Sequence, residues 1–183
     1  MKIITRVDTN IFPFDWVNID TSYRESKGKR VEIYLKEDSD LINDLIFLFY
    51  NLFGDIKEEV FVYNKSWWDF TLDTFNMTSE EGDYGIENKS EQTRTYLKIL
   101  LDSEIYLGYS GSCRCLNWDR FLSSIIDCTI AHIAPYSPIF YNVQNDLFFY
   151  FHHTGSIGLF YKEFTPYIEK LLQKSTQEYI LEE

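Results

Sequence analysis

Glycine and proline are scarce in this sequence, which has 8 Gly and 4 Pro among 183 residues. Disordered and low-complexity chains are rich in both, so we expect a folded protein. Three cysteines are an odd number and a poor disulfide framework, which favours a reducing compartment. The longest apolar run near the first predicted helix, Leu45 to Tyr50, is too short to span a bilayer. Arg6, Asp8 and Asp15 interrupt the N-terminal region, so we predict no signal peptide and a soluble cytoplasmic protein.

Basic residues are also few, because 17 Lys and Arg stand against 29 Asp and Glu, a net charge of −12. Nucleic acids and anionic membranes attract basic proteins, so we expect neither as a partner. Residues 37–59 and residues 66–91 each contain seven acidic residues and one basic residue, a net charge of −6 apiece. Such a local excess can steer a cationic partner. A solvated face that only keeps the protein soluble would give the same pattern.

Motifs for catalysis are missing as well. The sequence has neither a phosphate-binding glycine motif nor the G-x-S-x-G turn of many hydrolases. Cys128 and His132 are four residues apart on a predicted helix, and an imidazole at that spacing can activate a thiol. A small intracellular hydrolase that uses this pair, or a pair of carboxylates, is therefore the alternative to a binding protein. The position of Cys128 near the helix C-terminus opposes a thiolate, so we predict no enzyme.

Metal ligands do not follow a known spacing either. Structural zinc sites use two short Cys/His pairs at set distances in the sequence. Here one pair is C-x-C, the other is two adjacent histidines, and a long segment separates them. Adjacent residues of an extended strand point to opposite faces, so one of the two imidazoles would turn away. We predict no metal and no cofactor, and we interpret Cys113 and Cys115 as surface thiols and His152 and His153 as part of a turn.

Hydrophobic periodicity predicts a single α+β domain over residues 1–183, with three or four helices packed on a mainly antiparallel sheet. Thr165 is expected to cap the last helix, with Pro166 at its first position. Residues 91–105 fit either a helix or a strand. The other predicted elements are strands at 2–7, 30–35, 59–63, 139–143, 147–151 and 156–161, and helices at 39–53 and 118–133.

We predict that residues 64–90 form an acidic and aromatic insertion that is mostly loop. Trp and Tyr are common anchors of protein interfaces, and nearby carboxylates can meet Lys and Arg of a partner. Tryptophan is also usually buried, so rings that fill the core beneath the loop would explain the same residues. The predicted partner-binding residues of this insertion are Trp67, Trp68, Asp69, Asp73, Glu80, Glu81, Asp83 and Tyr84.

In overall character the chain resembles the immunity proteins of bacterial polymorphic toxin systems, including contact-dependent growth inhibition. The resemblance rests on the Trp67-Trp68-Asp69-Phe70 run, on the acids through Glu91 and on the aromatic segment 148–155. It implies an antitoxin that binds a cognate basic toxin domain, commonly a nuclease, and blocks its active site. An acidic surface suits this role because a nuclease presents cationic groups to phosphates. A DNA mimic or regulatory binder without a toxin partner would also be acidic and is a third alternative.

Overall fold

Twelve regular helices and strands lie within the residues that this computed structural model describes, namely 1–7, 11–21, 26–37, 39–75, 82–134 and 136–182. The helices are α1 (Leu41–Phe53), α2 (Glu91–Asp102), α3 (Trp118–Ile130) and α4 (Pro166–Glu178). The strands are β1 (Ile4–Arg6), β2 (Lys29–Tyr34), β3 (Phe61–Asn64), β4 (Gly111–Cys115), β5 (Ile139–Asn142), β6 (Leu147–His152), β7 (Ser156–Tyr161) and β8 (Ile180–Glu182).

All eight strands form one antiparallel sheet in the order β1-β4-β3-β5-β6-β7-β2-β8. The predicted α+β class with an antiparallel sheet is thus confirmed. The hairpin of β6 and β7 turns through Gly155, whose φ of 84° suits a residue without a Cβ. Two strands, β4 and β8, lack a predicted counterpart in the sequence.

Each helix begins at a short polar side chain that accepts a hydrogen bond from a free backbone N–H of its first turn. Asp40, Ser90, Asn117 and Thr165 are these caps. Residues 91–102 are therefore a helix, capped by Ser90, which settles the segment that fitted either a helix or a strand. Helix α1 does not stop at a left-handed glycine, because Gly54 continues into a 3-10 helix, Gly54–Glu59.

One face of the sheet carries the four helices and the larger core. Alternate strand residues such as Ile33, Val62 and Phe149 point to this side and are buried. The ring of Phe149 stacks on Phe53 of α1 with their centroids 3.9 Å apart. Helix α3 lies between α1 and α2 on this face.

The opposite face of the sheet is covered by residues 11–21, which we call the strap. Phe12, Phe14 and Trp16 of the strap are buried against Phe148 and Phe160 of the sheet. Trp16 Nε1 donates a hydrogen bond to Asp146 Oδ1 at 3.0 Å. Strand β6 is apolar at nearly every position because both of its faces are covered.

Candidate functional site

Trp67 and Trp68, the two most prominent rings of the predicted interface, lie inside the protein. Their exposed fractions are 0% and 8%. Trp67 Nε1 donates to the carbonyl of Gly111 at 2.9 Å, and Trp68 Nε1 donates to the carbonyl of Ile105 at 3.1 Å. The prediction that these two rings contact a partner is therefore wrong, because their faces are used to pack the core and their N–H groups are used to hold loops.

Asp69 and Tyr84 hold the insertion together. The Tyr84 hydroxyl donates to Asp69 Oδ1 at 2.6 Å, and the Ser66 hydroxyl donates to Asp69 Oδ2 at 2.5 Å. The hydrogen bond to Asp69, together with partial burial, raises the pKa of Tyr84 to about 12. Tyr84 also packs edge-on against Trp68, with ring centroids 5.7 Å apart. Both side chains are half-buried and tie the loop to the core beneath it.

Lys89, the one basic residue of segment 66–91, is buried among the acids of the insertion. Its ammonium donates to the backbone carbonyl of Asp73 at 2.5 Å and to Asp83 Oδ2 at 2.9 Å. The side chain of Lys89 is 6% exposed. The hydrogen bond from Lys89 is also the main reason why the pKa of Asp83 is lowered. Part of the negative charge that seemed available to a partner is thus neutralised within the protein.

Asp73 fastens the insertion to the first turn of α2. The backbone N–H and the hydroxyl of Ser90 both donate to Asp73 Oδ2, at 3.0 and 2.6 Å. Partial burial acts to raise the pKa of Asp73, but the hydrogen bonds from Ser90 outweigh it and the pKa is lowered. Glu80 and Glu81 lie outside the described residues, so the structure places six of the eight predicted residues.

Replacing Asp73 with asparagine is expected to lower the free energy of unfolding at pH 7 by about 0.5 kcal/mol, because the charge that Ser90 binds is lost at a position where solvent screens it. A pKa that is lower in the folded state contributes stability above the carboxyl's ordinary pKa, and this contribution disappears as the pH falls through the folded-state value. The difference between the wild type and Asp73→Asn should therefore shrink as the pH is lowered from 7 to 2. Urea unfolding at both pH values measures this, and an equal difference at both would contradict the role of the charge.

The alternative catalytic pair, Cys128 and His132, is not assembled for nucleophilic chemistry. Cys128 is completely buried, and burial raises the pKa of its thiol to about 12. Helix α3 ends at Ile130, so His132 lies beyond the helix with a φ of 55° and the helical spacing does not relate the two side chains. Cys113 and Cys115 are likewise buried on β4, not surface thiols, and burial raises the pKa of each to about 12.

The three histidines of the chain come together at the end of β6. The rings of His152 and His153 have centroids 4.2 Å apart, and those of His132 and His153 are 4.7 Å apart. His153 belongs to the turn after β6, so neither ring is turned away from the other. Among the described residues, no group of three or more His, Cys, Asp or Glu side chains has the arrangement of a metal site.

An exposed ring with carboxylates beside it lies elsewhere, on α1. Phe47 is 66% exposed, although it stands in the middle of a regular helix. Asp44 is one turn before Phe47 and Tyr50 is one turn after it, so the three side chains share one side of the helix. Asp44 Oδ2 accepts from the backbone N–H of Asp40, and the Tyr50 hydroxyl donates to Asp119 of α3 at 2.7 Å.

We call these five residues the α1 face: Asp40, Asp44, Phe47, Tyr50 and Asp119. None of the ion pairs found among the described residues involves one of its three carboxylates. Its edge borders a groove of about 620 Å³ between α1, α2 and α3. The described groove lining adds Asp102 and Asp127 to Asp119, against Lys98 and Arg120. The negative charge of this surface is therefore strongest along α1.

No family model, no curated protein and no solved structure matches this chain in the three comparisons made. No helix among the described residues has the length and apolar character needed to cross a bilayer.

Sequence reasoning missed the α1 face although the signal for it was present. Segment 37–59 is as acidic as segment 66–91. The helical stripe of Leu41, Leu45, Leu48 and Leu52 places Phe47 on a different side from the core residues, and this offset predicts an exposed ring. The tryptophans of segment 66–91 give no such offset, because their chemistry suits an interface and a core equally well.

Proposed function

We propose that this chain is an immunity protein that binds a cognate basic toxin domain through the α1 face. The observation that carries the proposal is Phe47, a large apolar ring held in solvent between carboxylates that have no cationic partner among the described residues. An isolated exposed apolar residue is common in proteins. Here the ring stands at the centre of a charged surface, which is the arrangement of an interface anchor with a polar rim.

The charge of the α1 face matches the expected partner. A nuclease active site must present cationic groups to phosphates, so carboxylates on a rigid helix can occupy it without any chemistry. Helix α1 is rigid because its other side is packed on the sheet through Leu45, Leu48 and Phe49, each 0% exposed. A preorganised surface loses little conformational freedom on binding, which favours tight association.

The proposal is tested by co-expressing the chain with the toxin domain encoded beside its gene and measuring bacterial growth and, for the purified pair, binding kinetics. The wild type should restore growth. Phe47→Ala should weaken binding by about 30-fold, mostly through faster dissociation. The double charge reversal Asp44→Lys with Asp119→Lys should slow association by about 10-fold and flatten its dependence on salt.

Phe75→Ala is the matched control, because Phe75 is a 50% exposed phenylalanine in the insertion. It should leave binding and growth unchanged. If Phe75→Ala loses binding and Phe47→Ala does not, the interface lies on the insertion and not on the α1 face. A toxic neighbouring domain that the wild-type chain neither binds nor neutralises would refute the immunity function itself.

A further inference from the structure

A cleft of about 490 Å³ opens at one end of the sheet, away from the α1 face. It forms because the central strand β5 is short and starts at Ile139, whereas its neighbour β6 continues to His152. The end of β3, with Tyr63 and Asn64, lies on one side of this gap. Tyr150 and His152 of β6 lie on the other side.

Asn64, which lines this cleft, has a side-chain amide with an unpaired hydrogen-bond donor among the described residues. It is 2% exposed, and its Oδ1 accepts from the backbone N–H of Ser66 at 3.0 Å. Its Nδ2 is buried and has no hydrogen-bond partner among the described residues. Buried amide groups are nearly always paired, so an unpartnered amide donor on a residue that lines a cavity points to an acceptor supplied by a ligand.

The described lining of the cleft carries a positive charge, whereas the chain as a whole is negative. None of its described lining residues is a carboxylate, although the chain has 29 Asp and Glu. Lys65 lies at the cleft and forms an ion pair with Asp20. Both side chains are largely exposed, so this ion pair is weak. A ligand with a negative charge therefore meets a cation and an amide donor there.

The remaining lining offers flat surfaces. Tyr63, Tyr150, His152 and His153 line the cleft with aromatic rings, and Ile139 adds an aliphatic side chain. The His152 ring is held in place, because its Nδ1 lies 2.7 Å from the hydroxyl oxygen of Thr154. Planar aromatic surfaces of this kind favour a planar ligand.

From this arrangement we propose that the cleft binds a small aromatic carboxylate, whose ring packs between the aromatic side chains and whose carboxylate accepts a hydrogen bond from Asn64 Nδ2. Lys65 supplies the countercharge at the cleft. This site is separate from the α1 face and does not depend on the proposed immunity function.

Benzoate is the probe for this site, and the side-chain amide signals of Asn64 in a 1H–15N NMR spectrum are the readout. At about 10 mM benzoate, which nearly fills a site of millimolar affinity, these signals should shift together with those of Tyr63 and His152. Acetate has the charge without the ring, and benzamide has the ring without the charge. Each should require at least about 10-fold higher concentration for the same shift, which corresponds to about 1.4 kcal/mol.

Asn64→Asp is the matched variant, because it keeps the oxygen that accepts from Ser66 and replaces only the amide donor with a negative group. It should lose benzoate binding by at least about 10-fold and bind benzylammonium in its place. Lys65→Gln, at an exposed position, tests the countercharge if Asn64→Asp does not fold, and it should weaken benzoate about 3-fold. An Asn64 signal that benzoate does not shift, or that acetate or benzamide shifts equally well, would overturn the proposal.

Discussion

Trp67→Ala should lower the free energy of unfolding by about 3–5 kcal/mol, the usual cost of truncating a fully buried large ring. The substitution would leave a cavity beneath the insertion, where Trp67 is 0% exposed and packs near Phe121. It would also leave the carbonyl of Gly111 without the indole N–H that it now accepts. Chemical denaturation followed by circular dichroism gives the free energy directly.

Phe47→Ala is the control for this experiment, since it also removes an aromatic ring but from an exposed position. Its free energy of unfolding should stay within about 0.5 kcal/mol of the wild type. Under the proposed function the two variants therefore have opposite defects, because Trp67→Ala loses stability and Phe47→Ala loses binding. A Trp67→Ala protein that is as stable as the wild type would contradict a core role for this ring.

Trp16→Ala should have a comparable effect, a loss of about 3–5 kcal/mol, because Trp16 anchors the strap. Its ring is 3% exposed and lies 5.6 Å from the ring of Phe148, centroid to centroid. Without the indole, Asp146 loses its hydrogen-bond donor and the strap keeps only the ring contacts that Phe12 and Phe14 make with the sheet. The aromatic face beneath the strap would then be uncovered, so binding of a fluorescent hydrophobic dye should rise before global unfolding.

Gly28→Ala should also displace the Trp16 ring and so loosen the strap. A Cβ on Gly28 would lie 2.5 Å from the Trp16 ring and 2.7 Å from the carbonyl oxygen of Tyr161, so the ring or the backbone must move. Asp146→Asn keeps an oxygen acceptor and should cost less than either variant. If Trp16→Ala neither binds dye nor loses more than about 1 kcal/mol, the strap is not held by this ring.

Much of the fold could be predicted because local signals and tertiary packing agree. The capping residues Asp40, Asn117 and Thr165 stand directly before apolar stripes with helical spacing, so α1, α3 and α4 follow from the sequence. Strand β4 was not predicted because Gly111–Cys115 is short and begins with Gly and Ser, neither of which favours a strand. Its pairing with β1 and β3 is set by tertiary contacts.

The candidate site was harder to predict because residue type does not determine which way a side chain faces. Trp68 and Phe47 are both large rings in acidic segments, yet one is 8% exposed and the other 66%. The position of Lys89 between Asp73 and Asp83 requires the loop to fold back on itself, and no sequence pattern encodes that return. The net charge of a segment therefore overstated the charge available at its surface.

The pairing of β2 with β7 sets a lower limit on how soon the sheet can be completed during synthesis. The hydrogen bond between Glu32 of β2 and Ser156 of β7 spans 124 residues. A ribosome needs roughly 6–25 s to add that length at about 5–20 residues per second. For that interval β2 has no neighbouring strand, and its unpaired backbone groups are open to association with other nascent chains.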